Sequence, residues 1–153
     1  MGIDPGTAII GYGFIKKLPD KLKIINYGCI RTEAKFSTAE RLKQIDQQLT
    51  KLIRKYKPER IAVEDIFFFK NLKTAVTVSQ ARGVILARAS QPKVSVMEYT
   101  PLQIKQAVTG YGRADKKQVQ KMVKAILNLK EIPQPDDAAD ALATAICCAH
   151  SIR

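Results

Sequence analysis

The sequence has no tryptophan, one histidine and only three cysteines, and these small numbers exclude several kinds of site. Cys29, Cys147 and Cys148 lack the paired spacing of a zinc-binding sequence, and His150 alone cannot complete a four-ligand set. The adjacent pair, Cys147 and Cys148, would form only a strained disulfide. We therefore expect three reduced core thiols, and we expect His150 to lie in a terminal helix.

Long apolar runs are also missing. No segment approaches the roughly eighteen consecutive apolar residues that a membrane-spanning helix needs, and residues 1–5 do not resemble a signal peptide. We therefore expect a cytosolic protein with no membrane partner.

Negative charge is scarce. The 153 residues include 26 Lys and Arg against 14 Asp and Glu, which gives a formal net charge of +12. Such a balance favours a polyanionic partner, either nucleic acid or an anionic membrane surface. Because the basic residues are spread along the chain and the pI is near 9.8, nucleic acid is the favoured partner.

The order of expected elements indicates an α/β fold. Residues 11–17 and 23–32 have the composition of strands, and Ser37 with Glu40 has capping-box spacing ahead of a helical apolar pattern that ends at Pro58. Further expected elements are a strand at 61–63, a helix over 71–90, a strand over 93–98, a helix over 100–107, a basic helix from about 115 to 129 and an alanine-rich helix from 136. Without repeats or an internal linker, we expect one domain over residues 1–153 with a mixed central sheet.

Two carboxylates end short apolar strands. Glu64 follows residues 61–63, where a buried charge is costly unless it is paired or bound to a cation. Asp4 ends the first apolar segment, so both side chains could project from strand ends of one sheet. An Asx turn ahead of Pro5 is the alternative for Asp4.

Asp137 and Asp140 are three residues apart in the expected last helix and therefore share one face. Helix-start electrostatics would explain Asp137 better than Asp140, since Asp136 is the expected N-cap. Clustered carboxylates in a basic protein would instead suit magnesium and two-metal phosphodiester hydrolysis. The spacing alone does not show that Asp4, Glu64 and this pair converge.

Several segments are similar, in order and approximate spacing, to the motifs of the RuvC family of Holliday-junction resolvases. They are residues 2–7 continuing to 11–13, residues 61–67, Lys70-Asn71 with residues 80–83, and residues 137–142. The resemblance covers nearly the whole chain. It implies a ribonuclease-H-like fold, with a mixed sheet of about five strands flanked by helices, and a junction-resolving endonuclease of DNA recombination and repair.

The resemblance also assigns the reacting groups. It implies that Asp4, Glu64, Asp137 and Asp140 are catalytic and bind two Mg²⁺ ions, for which Mn²⁺ could substitute. The family's last motif has two alanines between its carboxylates, which selects Asp137 over Asp136. One departure is that only three residues precede Asp4, fewer than the family's first strand usually has.

For DNA contacts the resemblance points to Phe67, whose ring would stack on a base, and to Lys70, Lys105 and Lys116. Stacking of a base on an aromatic ring is worth about 1 to 3 kcal/mol. Apolar core filling is the alternative for the three phenylalanines at 67–69. The expected partners are a four-way DNA junction, a second copy of the chain in a homodimer, and a branch-migration helicase complex of the RuvA and RuvB type.

Three other classes of protein remain as rivals. Other ribonuclease-H-like nucleases, acting on RNA–DNA hybrids or on ribosomal RNA precursors, would share Asp4 and the sheet, but residues 64–83 fit them less well. A basic architectural protein would hold junctions without cutting and would not need the carboxylates. An actin-like ATP-binding fold would need a longer chain.

Overall fold

The computed structural model describes residues 1–65 and 72–152, apart from the side chains of residues 72–74. Within this part of the chain, five strands and five helices follow one another in a single series. They are β1 (Gly2–Asp4), β2 (Ile9–Lys17), β3 (Leu22–Arg31), α1 (Thr38–Tyr56), β4 (Arg60–Glu64), α2 (Leu72–Ala89), β5 (Ser95–Tyr99), α3 (Pro101–Thr109), α4 (Lys116–Ile126) and α5 (Asp136–Ser151).

The five strands form one mixed sheet in the order β3-β2-β1-β4-β5. The first three strands make an antiparallel meander, because the short connections between them allow only hairpin-like returns. The strands β1, β4 and β5 are parallel, and helix α2 makes the crossover between the last two. This arrangement confirms the expected α/β fold with a mixed sheet of about five strands.

Helices cover both faces of the sheet, because side chains alternate between its two sides. On one face, Ile61 and Val63 of β4 belong to a core that includes Ile45 of α1 and Ile85 of α2. On the other face, Ala62 packs with residues of α3, α4 and α5. The resulting three-layer structure buries β1 and β4 at its centre.

Helix starts agree well with the capping signals in the sequence. Ser37 and Glu40 form the predicted capping box at the start of α1. Equivalent boxes begin α3 at Thr100 and α4 at Asp115. The start of α5 differs from the prediction, since Pro135 is the N-cap residue and Asp136 is already helical, with no side-chain cap. Pro135 has the extended backbone of a cap residue, which leaves the Asp136 carboxylate available for other contacts.

Two element boundaries also differ from the sequence prediction for backbone reasons. Strand β5 begins at Ser95 rather than at Lys93, because Lys93 has a φ of 71°, which an extended strand does not accommodate. Helix α4 ends at Ile126 rather than near Leu129, and Asn128 has a φ of 50° just beyond it. Left-handed residues of this kind commonly end a helix or a turn.

The cysteines and the histidine lie close to where the sequence predicts them. All three thiols are free, and Cys147 and Cys148 are buried in α5, but Cys29 is only half-buried rather than a core residue. His150 lies in the last turn of α5. Within the described residues, no helix is both long and apolar enough to cross a membrane.

Candidate active site

The first two carboxylates lie at the same end of two neighbouring strands. In the parallel pair β1 and β4, Gly2 is opposite Ala62 and Ile3 is opposite Val63. Continued by one residue, this register places Asp4 beside Glu64, where both strands end. The strand pairing therefore confirms the prediction that these two side chains project from strand ends of one sheet.

Helix α5 reaches this end of the sheet because glycines in the strands let it approach closely. Gly11 of β2 lies opposite Asp4, and a Cβ atom on Gly11 would overlap the backbone carbonyl of Asp137. A Cβ atom on Gly2 would overlap the backbone of Ala141 in the same way. Only residues without a side chain allow this packing, and it brings the first turns of α5 over the carboxyl ends of the strands.

Burial and mutual repulsion show that the acids share one electrostatic environment. Burial raises the pKa of Asp4 well above its usual range, and repulsion from Glu64, Asp140 and Asp137 raises it further. Burial also raises the pKa of Glu64 to about 7, with Asp140 adding to the effect. The pKa of Asp140 is raised chiefly by burial, and the positive charge of Lys116 partly offsets this. Asp4 therefore interacts with all three of the other predicted ligands.

Three of the four acids line a single cleft of about 220 Å³. Asp4, Glu64 and Asp140 provide its negative charge, and Lys105 and Lys116 provide positive charge at the same cleft. The remaining lining residues are Pro101, Ile104, Val119 and Ala143. A cleft that combines convergent charged groups with an apolar wall is typical of an active site.

Asp137 occupies a different position from the other three. It is half-buried at the start of α5 and does not line the cleft, although its charge acts on Asp4 and Asp140. It also acts on Cys29, the half-buried thiol of β3 that pairs with Gly11. Asp137 therefore lies on the side of the four-acid cluster that is nearer to β2 and β3.

The described residues contain no group of three or more His, Cys, Asp or Glu side chains already arranged to hold one metal ion. Lys116 is instead the cation in contact with the acids, with its Nζ atom 3.2 Å from Asp140 Oδ2 and 3.3 Å from Asp136 Oδ2.

The donor set itself suits a hard divalent cation. All four side chains offer carboxylate oxygen atoms, which magnesium and manganese prefer over softer ligands. The raised pKa values of Asp4 and Glu64 indicate that their negative charges are costly at this end of the sheet. A divalent cation would relieve that cost, since opposite charge favours the ionised carboxylates.

The predicted DNA-contacting residues divide into two groups. Lys105 of α3 and Lys116 at the start of α4 both reach the cleft. Phe67 and Lys70 lie outside the described residues, so their predicted roles stay predictions. The lysine positions were identified through the family motifs, and the cleft places them beside the acids.

One group of contacts has no counterpart in the sequence prediction. Gln120 of α4 donates a hydrogen bond from Nε2 to Asp136 Oδ1 at 3.0 Å, and Asp136 also contacts Lys116. The sequence offered a weak signal, because Lys116 and Gln120 are four residues apart and share one face of their helix. An N-cap role for Asp136, as the sequence predicts, would not include this contact with α4.

Similarity to known proteins agrees with this geometry. A family model described as crossover junction endodeoxyribonuclease RuvC matches residues 1–148. The chain belongs to the RuvC family. Membership confirms the family that the motifs predict and, with it, the enzyme class of crossover junction endodeoxyribonuclease.

Individual RuvC proteins are similar over almost the entire chain. A RuvC from Halothermothrix orenii is 56% identical over 153 residues, which is 100% of this chain and 93% of the relative. The Thermus thermophilus RuvC structure has a TM-score of 0.88 at 36% identity, covering 97% of this chain and 92% of that one. The T. thermophilus RuvC in complex with a Holliday junction substrate has a TM-score of 0.86 at 34% identity, covering 97% and 90%.

Proposed function

We propose that this RuvC-family chain resolves Holliday junctions by magnesium-dependent hydrolysis, making paired nicks in opposed strands during recombination and repair. The observation that supports this best is the cleft where Asp4, Glu64 and Asp140 from three distant segments meet Lys105 and Lys116. Membership of an endodeoxyribonuclease family supports the same reaction. A protein that only held junctions would have no need for buried, mutually repelling acids beside a DNA-binding surface.

In this proposal Asp4, Glu64, Asp137 and Asp140 bind two Mg²⁺ ions, with Mn²⁺ as a possible substitute. When bound, the ions supply the activation of the attacking water and the stabilisation of the leaving oxygen. The carboxylates themselves hold the ions and need not transfer protons. Asp137 would take part from the β2 side of the group, where its charge already acts on Asp4.

The cleft lysines and the apolar wall have separate tasks in the proposal. Lys105 and Lys116 would bind phosphate oxygens and fix the scissile strand beside the acids, a contact that positions DNA without reading its sequence. Ile104 and Val119 would limit the water that enters the cleft, which strengthens electrostatic interactions inside it. Phe67 and Lys70 are proposed as further DNA contacts from their family motif.

The remaining proposals concern assembly. We propose that residues 1–153 form one domain that works as a homodimer in the cytoplasm, since two opposed nicks require two active sites. Among the described residues, helix α2 exposes Val76 while it buries Ala81 and Ile85, so the face that carries Val76 would pack against a second copy. From the family resemblance, a helicase complex of the RuvA and RuvB type is the proposed partner that delivers the junction.

The decisive experiment is cleavage of a synthetic four-way junction, beside a matched linear duplex and an RNA–DNA hybrid. We expect paired nicks on opposed junction strands with Mg²⁺ and none with chelator. Asp140→Asn should lower the cleavage rate on the order of 100-fold or more, because it weakens metal binding by the acids, while junction binding in chelator is retained.

The control variant is Asp20→Asn, which removes an exposed carboxylate in the turn between β2 and β3. It should cut at the wild-type rate. Preferential cleavage of the hybrid would instead support another ribonuclease-H-like nuclease, and binding by the wild type without any nicking would support an architectural protein.

A further inference from the structure

The first residue of α5 makes contacts that link α4 to the carboxylate cleft. One oxygen of Asp136, Oδ1, accepts a hydrogen bond from Gln120 Nε2 at 3.0 Å. The other, Oδ2, lies 3.3 Å from Lys116 Nζ. The same ammonium group is 3.2 Å from Asp140 Oδ2, so Asp136 and Asp140 hold it from two sides.

Gln120 has the burial expected of an orienting residue. It is only 8% exposed, and a buried amide is costly unless it is hydrogen-bonded, so its bond to Asp136 is strongly favoured. Since Gln120 occupies Oδ1, the second oxygen of Asp136 faces Lys116. Lys116 and Gln120 are four residues apart on α4, and both therefore reach the start of α5 from one helix face.

Lys116 needs such support because its side chain is 52% exposed. A lysine side chain has four rotatable bonds, and an exposed one loses considerable entropy when it is held in a single position. One contact with Asp140 would compete poorly with solvent. Two carboxylates, one of them fixed by a buried amide, restrict the ammonium group to the mouth of the cleft.

We propose that Asp136 is a positioning residue, which Gln120 orients and which holds the Lys116 ammonium group beside Asp140, ready to meet a phosphate of the bound junction. This inference rests on the proposed function, in which Lys116 contacts DNA. Asp136 itself touches neither the DNA nor the metal ions in this scheme. Its effect on cleavage passes entirely through Lys116.

A purely electrostatic role for Asp136 predicts a different effect of neutralising this residue than the positioning role does. A negative charge beside a DNA-binding cleft repels phosphate, so neutralising it would tighten junction binding and leave the rate of cutting unchanged or higher. Loss of a positioning contact lowers the rate of cutting from the bound complex. The sign of the change in kcat therefore separates the two roles.

The first test measures kcat and KM of junction cleavage for Asp136→Asn and for Gln120→Met, which keeps the size of the side chain and removes its amide. We expect kcat to fall by about threefold to tenfold in each, with KM changed by less than about twofold. Glu131→Gln, which removes an exposed carboxylate from the connection between α4 and α5, is the matched control and should leave kcat unchanged. An unchanged or raised kcat in Asp136→Asn would overturn the proposal.

A double-mutant cycle shows whether the effect passes through Lys116. In a Lys116→Met background, Asp136→Asn should cause no further loss of kcat, because the residue it positions is already missing. If the two losses multiply, Asp136 acts by another route and the positioning role is wrong. Circular dichroism of each variant identifies any that has simply failed to fold, and Gln120→Met then provides the independent variant.

The contact can also be measured without cleavage. In chelator, ¹⁵N relaxation of the Lys116 ammonium group should show a higher order parameter in the wild type than in Asp136→Asn. An unchanged order parameter would contradict the positioning contact even if cleavage slowed. If the wild type failed to cut junctions but the order parameter fell in the variant, the proposed function would be wrong while the contact itself would stand.

Discussion

Individual carboxylates at the end of the sheet differ in how far the sequence could identify them. Glu64 stands out because a charge directly after three apolar residues is costly to bury. Asp4 and Asp137 needed the family motifs, since a turn explains the first locally and a helix start explains the second. Asp136 was misassigned because an aspartate after a proline resembles an N-cap, and its contact with Gln120 depends on how two helices pack.

At this scale we predict that Glu64→Gln stabilises the protein at high pH. A carboxyl group whose pKa is about 7 when folded and 4.5 when unfolded holds its proton more tightly in the folded state. Ionisation therefore lowers the free energy of unfolding as pH rises from about 4.5 to about 7, and the loss persists above pH 7. The variant avoids this loss, which amounts to about 1 to 3 kcal/mol.

Thermal unfolding in chelator at about pH 4 and about pH 8, on either side of that interval, measures this effect. The variant should match the wild type at the lower pH and unfold several degrees higher at the upper one. Glu131→Gln is the control and should show no pH-dependent difference, since Glu131 is exposed. Equal unfolding temperatures for Glu64→Gln and the wild type at the upper pH would mean that burial does not disfavour the ionised carboxylate of Glu64.

Secondary-structure elements were predicted better than the contacts between them. Capping boxes and apolar periodicity are local signals, so α1, α3 and α4 begin where the sequence indicates. The start of β5 and the end of α4 depended on left-handed backbone at Lys93 and Asn128, which neither residue type requires. The sequence also does not predict the close approach of α5 to the sheet, because a glycine in a strand can equally mark a bulge, a bend or a closely packed backbone.

We predict that Gly11→Ala destabilises the protein through this approach. The added methyl group would overlap the backbone at Asp137, which cannot move aside as a flexible side chain can. Overpacking of this kind costs about 1 to 3 kcal/mol. It should also displace the first turn of α5 and slow junction cleavage. Denaturant unfolding and single-turnover cleavage measure the two effects.

Gln47→Ala is the control for that substitution, because it introduces an alanine without new packing. Gln47 is an exposed residue in the interior of helix α1. Alanine has a slightly higher helix propensity than glutamine, so this variant should be at least as stable as the wild type. The packing explanation fails if both alanine variants have the same stability.

At the scale of the whole molecule, net positive charge favours DNA binding, and the fold decides which basic residues lie at the cleft. The net charge of +12 attracts DNA at long range, but attraction alone would not place a phosphate beside the acids. Arg82 of α2 is basic as well, but it pairs with Asp65, directly after β4, and with Glu98 of β5. Composition therefore indicated the class of partner, and only the fold separates basic residues at the cleft from those with structural partners.

Salt dependence can separate the contact lysines from the general basic charge. Junction binding in chelator should weaken as salt rises, because each phosphate contact releases condensed counterions. Lys105→Met and Lys116→Met should each reduce the slope of log Kd against log salt by about 0.7 to 0.9, as expected when one phosphate contact is lost. Lys21→Met removes an exposed charge from the turn between β2 and β3, at the opposite end of the sheet from Asp4, and should leave the slope unchanged. If all three variants had the same slope as one another, the cleft lysines would contribute only to the overall charge, and DNA would have to reach the acids by another path.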